Sequence, residues 1–305
     1  MFSKGIFTLS LDFELIWGTL DIFGPNGFKK ACEIERERVI DRLLNLLAEF
    51  EVPATWCIVG HLFLDHCNGT HPEIKVDPQW FQHDPGTDVS RDPVFYGRDL
   101  VEKIRHCEVP QEIGCHSFSH IIFGECGRET AASELAASTS IAHEVGIDLK
   151  SFVFPRNVVG HIDLLREFGF RCYRGPEPVW YESDRWPQAL RRIAHLANVI
   201  LANTPPVVDP IDEGGDLWNI PGSMIYFPSH GMRRYIPTSR RVRRAVRGLD
   251  AAARERRIFH LWFHPTNLVD EIESMFEGLT KILSHARILR DSGRLEFRPM
   301  GALAR

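Results

Sequence analysis

The order of segments along the chain predicts an α/β protein built on a parallel sheet or barrel. Three observations carry this expectation. Short apolar runs alternate with helix-patterned stretches over nearly the full length. No internal repeat or low-complexity linker interrupts them. Ionisable residues stand just beyond several of the apolar runs, at the strand ends where α/β folds build their sites.

Residues 6–11 read as the first strand. Residues 34–50 place Val39, Leu43, Leu46, Leu47 and Phe50 at helical spacing, which predicts a helix. A second buried strand is predicted over 53–59 and a short one over 112–115. The Ala-rich stretch 129–146 predicts a helix, 151–154 a strand, 162–168 a helix and 170–173 a strand. Further on, 257–263 is strongly strand-like, 269–290 is helical, and 295–298 closes the series. Two regions break the alternation. Residues 65–97 are rich in Asp, His, Pro and Gly, and 174–235 carry many Pro, Gly and Trp. Both read as long rim insertions in one domain spanning 1–305, and long loops in compact domains tend to be functional.

Composition narrows the classes. The chain has 305 residues, 44% of them hydrophobic and 25% charged, enough for a large core and against wholesale disorder. A formal net charge of −5 argues against a nucleic-acid partner. No run of about 18 or more apolar residues predicts a membrane span. The start reads as a strand rather than a signal peptide, which predicts a cytoplasmic protein. Seven scattered cysteines agree with a reducing compartment. The absence of a CxxC pair argues against a cysteine-based structural zinc site.

Three segments carry chemistry. In Leu11-Asp12-Phe13-Glu14, two acids two residues apart end the first strand, so both side chains leave the same face. In His116-Ser117-Phe118-Ser119-His120, two imidazoles four apart follow the strand Glu112-Ile113-Gly114-Cys115 directly. They can converge on one metal from a helix or a tight loop. His264 follows the apolar run Leu261-Trp262-Phe263 and precedes Pro265, whereas His260 reads as a packed strand residue. Two His and one carboxylate leave an open position on a catalytic metal, and a spare carboxylate and a spare His remain for proton transfer.

Together these segments, in this order, make the chain resemble the polysaccharide deacetylase family with its NodB-type homology domain. Val52-Pro53-Ala54-Thr55-Trp56 is similar to the family's second strand, and Trp262-Phe263-His264-Pro265 to its late histidine motif. The resemblance runs from Leu9 to about Leu268. It implies a distorted (β/α) barrel of about seven parallel strands, one fewer than the regular eightfold form. It implies Asp12 as catalytic base, Glu14, His116 and His120 as metal ligands, and His264 as catalytic acid. The two acids are adjacent in much of the family. Here Phe13 separates them, as in an acid–x–acid branch, with Glu14 where that branch has Asp. The third motif matches least. Its Pro falls on Pro155, the expected Arg on Val153, and the aromatic position on Arg156. A backbone N–H at Arg156 is then the expected oxyanion donor, and Val153 cannot supply the usual charged partner of the base.

The implied reaction is hydrolysis of an N-acetyl or other small N-acyl group from an amino sugar, with one divalent ion. Zinc suits the ligand set best, and cobalt, nickel, manganese or iron also fit. Alternatives are hydrolysis of another C–N bond (an N-formyl sugar or a cyclic amide) or a non-catalytic carbohydrate-binding protein of this fold. Trp17, Arg156 and Asn157 are expected to contact substrate. Trp80, Trp180, Trp186 and Trp218 are further candidates for stacking on sugar. The run from Arg233 to Arg247 holds seven Arg and no acid. It reads as a solvated helix face, or as a patch for a phosphate-bearing substrate or an anionic membrane surface. A nucleotide- or lipid-diphosphate-linked sugar, used in surface-polysaccharide assembly, would satisfy that patch.

Overall fold

A computed structural model describes residues 2–178 and 203–304. In chain order the elements are β1 (Gly5–Phe13), α1 (Leu20–Gly27), α2 (Lys29–Ile34), α3 (Ile40–Glu49), β2 (Thr55–Ile58), α4 (Arg98–Arg105), β3 (Glu112–Cys115) and α5 (Arg128–Glu144). There follow β4 (Ser151–Val153), α6 (Ile162–Glu167), β5 (Cys172–Arg174), β6 (Ile211–Asp212), β7 (Trp218–Asn219) and β8 (Met224–Ile225). The last are α7 (Thr238–Glu255), β9 (Ile258–Phe263), α8 (Ile272–Asp291) and β10 (Leu295–Phe297).

One curled sheet organises them, in the order β6-β7-β5-β4-β3-β2-β1-β9-β8, and every pairing along it is parallel except β6 with β7. β10 pairs with the first half of β1, and β2 with the second half. The chain from Trp218 onward hydrogen-bonds first to the β5 edge, through Trp218 N to Arg171 O and Ile220 N to Tyr173 O. It then passes to the other edge, through Ser223 N to His260 O and Tyr226 N to Trp262 O. One segment therefore spans the gap between β5 and β9. Counted once, it gives seven strand positions around the ring (β1, β2, β3, β4, β5, β7 with β8, and β9). This is the distorted barrel that the sequence led us to expect.

Strand alternation divides the core. Along β1, Phe7, Leu9, Leu11 and Phe13 pack outward beneath the helices, whereas Ile6 faces the barrel interior with Cys57, Val153, Cys172 and Ile258. Thr8, Ser10, Asp12 and Glu14 share the phase of Ile6, so the interior column turns polar toward the strand's C-terminal end. Met300 and Leu303 join that interior cluster from the C-terminal segment. The segment is latched by Met300 N to Thr55 Oγ1 (2.7 Å) and Gly301 N to Glu112 Oε2 (2.9 Å), and it fills the floor of the barrel.

Several elements extend or revise the sequence expectation. The helix expected over 34–50 begins earlier, at Lys29, and a π-helical turn at Glu35–Val39 joins α2 to α3. Region 65–97 contains one 3-10 turn, Pro78–Phe81. Region 174–235 holds β6, β7, β8 and a 3-10 turn, Gly231–Tyr235, in its described part. The arginine-rich run enters α7, where Arg241 and Arg244 are buried while Arg233, Arg234, Arg243 and Arg247 are exposed. The seven therefore do not form one solvated face. Among the described residues, no helix is long and apolar enough to cross a membrane.

Candidate active site

Four strand ends meet at one rim. β1 delivers Asp12 and, one step past its end, Glu14; β3 delivers His116, β9 delivers His264, and β5 ends in Arg174. Leu15 follows Glu14 in the left-handed region (φ 46), which turns the chain sharply off the strand. The Glu14 side chain then lies against Gly18, where an added Cβ would stand 1.7 Å from Glu14 Oε2.

Glu14 Oε1 is the centre of the cluster. It lies 2.9 Å from His116 Nε2 and 3.2 Å from both His120 Nε2 and His264 Nε2. The donor atoms of Glu14, His116 and His120 all fall within 4.8 Å of one another, and so do those of Asp12, Glu14 and His264. The three residues of the first set are buried, whereas His264 remains 28% exposed. His116 shows why a cation suits the first set. Its Nδ1 lies 2.7 Å from Val153 O, an acceptor, so Nδ1 carries the proton and Nε2 presents a lone pair to Glu14. Two acceptors facing each other at that distance need a cation or an extra proton between them. Against the cost of burial, the His264 and His120 charges hold Glu14 well below the usual carboxylate range.

The two histidines come from an irregular loop, not a helix. Ser117 (φ 59) and His120 (φ 63) both adopt left-handed backbone. Glu134, from α5, holds that loop. It accepts from Phe118 N and Ser119 N at 2.8 Å each and from Ser119 Oγ at 2.5 Å. Gly60 N and His61 N bind the carbonyls of Ser117 and Phe118 from the opposite side.

Asp12 has a partner that sequence reading missed. Arg174 Nη1 and Nη2 each lie 2.7 Å from one of its oxygens, and both side chains are buried. Arg174 also donates to Ser10 Oγ and Asn157 Oδ1 (3.0 Å each), and its guanidinium stands 4.1 Å from the Trp262 ring centre. Against burial, the Arg174 charge and hydrogen bonds hold Asp12 below its ordinary range. His264 Nε2 stands 3.7 Å from Asp12 Oδ2. Against burial, Glu14 and Asp12 hold His264 up to about 9. Behind it, the π-helical turn buries Glu35, whose carboxyl is pushed well above its usual range by burial and by Glu14.

The other expected substrate contacts are placed differently from one another. Arg156 (φ 56) and Asn157 (φ 55) follow β4 as successive left-handed residues. The Arg156 side chain is tied to Asp21 at 2.5–2.6 Å, and Asn157 faces Arg174. Trp17 is 2% exposed, donates to Phe95 O and stacks against His61, so it lines the cleft as a packed residue, not a projecting one. Trp80, half-buried, donates to Ser119 Oγ at 2.9 Å. Trp17, Asp21, Gln79, Trp80 and Ser119 line a cleft of about 320 Å³. Trp218 lies in β7; Trp180 and Trp186 lie outside the described residues. His260 is buried in β9, as expected.

The polysaccharide deacetylase family model matches residues 24–164, a stretch that includes His116 and His120 but not Asp12, Glu14 or His264. No curated protein sequence matches significantly. Solved structures share the fold. A presumed polysaccharide deacetylase from Mycobacterium smegmatis superposes with TM-score 0.64 at 15% identity, over 99% of this chain and 89% of that one. The allantoinase Puue gives 0.65 at 12%, over 99% and 90%. A probable polysaccharide deacetylase from Pseudomonas aeruginosa PAO1 gives 0.63 at 11%, over 98% and 89%.

Proposed function

We propose that the chain, whose residues 24–164 match the polysaccharide deacetylase family model, is a metal-dependent N-deacetylase of an amino sugar. The observation that carries this reading is Glu14 Oε1 among the Nε2 atoms of His116, His120 and His264, beside an ionised Asp12. Glu14, His116 and His120 are the ligands in this reading. A divalent ion held there, zinc by ligand preference, would supply Lewis acidity for water activation and carbonyl polarisation.

The chain's own residues supply the proton steps. Asp12, kept ionised by Arg174, takes the proton of the attacking water. His264 holds a proton near neutral pH and faces the open side of the cluster, so it gives that proton to the departing amine. The N–H of Arg156, at the end of β4, is the donor assigned to the developing oxyanion. Trp80 and Asn157 bound the sugar. For the substrate we assign a phosphate-bearing N-acetyl sugar, because Arg233 and Arg234 stand exposed on the segment leaving the rim end of β8.

The shared fold of an allantoinase supports a second reading, hydrolysis of a cyclic amide at the same cluster. One experiment separates these. Amine release is measured from N-acetyl amino sugars, free and nucleotide-linked, beside ring opening of cyclic ureides, for wild type, Asp12→Asn and His264→Ala. Metal content is measured for wild type and a His116→Ala/His120→Ala variant. The expected result is sugar deacetylation, lost in both single variants, with the metal of this cluster lost in the double variant. Equal metal content in both proteins removes the basis of the reading. Reversing Arg233 and Arg234 should raise KM for the phosphorylated sugar alone.

A further inference from the structure

A second cluster of metal-binding residues lies in region 65–97 and at its root. His61, Cys67, His71 and Asp84 bring one donor atom each within 4.8 Å of all the others. Asp84 Oδ2 lies 3.1 Å from His61 Nε2 and 2.8 Å from His71 Nε2, and Cys67 Sγ lies 3.4 Å from both Asp84 oxygens. The side chains of His61 and Asp84 are fully buried and that of His71 is 5% exposed. The far nitrogen of each imidazole is also occupied. His61 Nδ1 stands 3.1 Å from Phe95 O, and His71 Nδ1 stands 3.5 Å from Glu73 Oε1. Gly69 N donates to Cys67 Sγ, Tyr96 OH stands 3.2 Å from that sulfur, and Gly86 N donates to the other Asp84 oxygen. Such outer partners orient metal-bound imidazoles, thiolates and carboxylates.

We propose that His61, Cys67, His71 and Asp84 form a structural zinc site, separate from the catalytic cluster. Two imidazoles, a thiolate and a carboxylate complete a tetrahedral set and leave no open position, which is the mark of a structural centre. The thiolate selects zinc over magnesium or calcium. A Cys–His–Asp nucleophile relay would be linear. Here Asp84 contacts the sulfur as well as both imidazoles, so the arrangement is a closed knot.

The location gives the site its purpose. Region 65–97 has little regular structure, one 3-10 turn and the isolated bridge His66–Asp88, and a bound ion would tie it together further. The zinc would bind its start, its middle and its root after β2 together. His61 packs on Trp17 with ring centres 4.2 Å apart, and Trp80 from the same region bonds the loop between His116 and His120. The zinc thereby holds one wall of the cleft.

Metal stoichiometry and cobalt spectra test this. Elemental analysis should find two zinc ions per chain in wild type, and one each in Cys67→Ser and in His116→Ala/His120→Ala. Cobalt-loaded protein should show thiolate-to-cobalt charge-transfer absorption in wild type and in His116→Ala/His120→Ala, where the catalytic site is disabled. If Cys67→Ser does not fold, these two spectra still decide. Alkylation of Cys67 by iodoacetamide should be slow until a chelator is added. One zinc per wild-type chain, lost in His116→Ala/His120→Ala, with no thiolate-to-cobalt band, overturns the proposal. So does alkylation unaffected by chelator.

Discussion

Arg174 clasps Asp12 from the strand position directly beside Val153, the residue where an arginine was expected. The register pairs Val153 with Arg174, and the guanidinium meets both Asp12 oxygens at 2.7 Å. The charged partner of the base is therefore present, moved one strand along the sheet. Its fork geometry also binds Ser10 and Asn157, a task a point charge cannot share.

Arg174→Lys should keep the charge and lose the fork, lowering kcat/KM by at least roughly 10-fold while the protein still folds. Arg174→Ala strands a buried carboxylate and should cost about 3–5 kcal/mol of stability. Thermal melts and steady-state kinetics measure the two effects, and unchanged values for both variants would contradict this role.

Gly18→Ala should abolish metal binding at the Glu14, His116 and His120 cluster with little loss of fold. The new methyl would stand 1.7 Å from Glu14 Oε2 and 2.6 Å from its carboxyl carbon, so the ligand must move away. Gly18 closes a 3-10 turn with ordinary backbone angles, and stability should change by no more than about 1 kcal/mol. Metal per chain, read beside the melting curve, checks this.

Glu134→Ala frees the loop between His116 and His120 by removing the acceptor for two N–H groups and one hydroxyl. Metal affinity should fall roughly 10–100-fold, the usual effect of losing an outer partner. Glu134→Gln keeps an acceptor oxygen and should lose less. Competition against a chelator of known affinity ranks the three proteins, and equal affinities would refute the assignment.

His260 predicts an acid-sensitive fold. Burial, and then the Arg174 charge, push its imidazole down to about 3. Its Nε2 accepts from Ser10 Oγ while Nδ1 faces Pro221 O. The unfolded imidazole titrates near 6.5, so between that value and about 3 the unfolded chain takes up a proton that the folded chain excludes. Its contribution is intact above pH 6.5 and declines as pH falls, by at most about 1.4 kcal/mol per unit. Denaturant unfolding of wild type and His260→Gln from pH 7 to pH 4 should show the shallower slope in the variant.

Local pattern made the barrel and most of the cluster readable. Asp12, Glu14, His116 and His264 each stand in phase with, and just beyond, an apolar strand, and phase and position are local properties. Arg174 obeys the same rule at the end of β5 but belongs to no motif. Its meaning depends on which strand lies next to Val153. Glu134 is one acid in an Ala-rich helix, and its target is set by how α5 packs. The zinc-type ligands are spaced irregularly, so a search for paired cysteines passes over Cys67. The arginine-rich run reads as a helix face, but the burial of Arg241 and Arg244 in α7, with Arg241 over the Phe227 ring, depends on packing that charge pattern does not announce.

The floor of the barrel has a consequence for the order of synthesis. β10 covers the first half of β1, and Met300 and Leu303 fill the interior beside Ile6. These residues leave the ribosome almost 300 codons after the strand they complete. Throughout that interval the edge at Gly5–Phe7 and the apolar interior beneath it stay uncovered. Variants that weaken the last dozen residues should lower soluble yield in the cell before they alter the chemistry at the opposite rim.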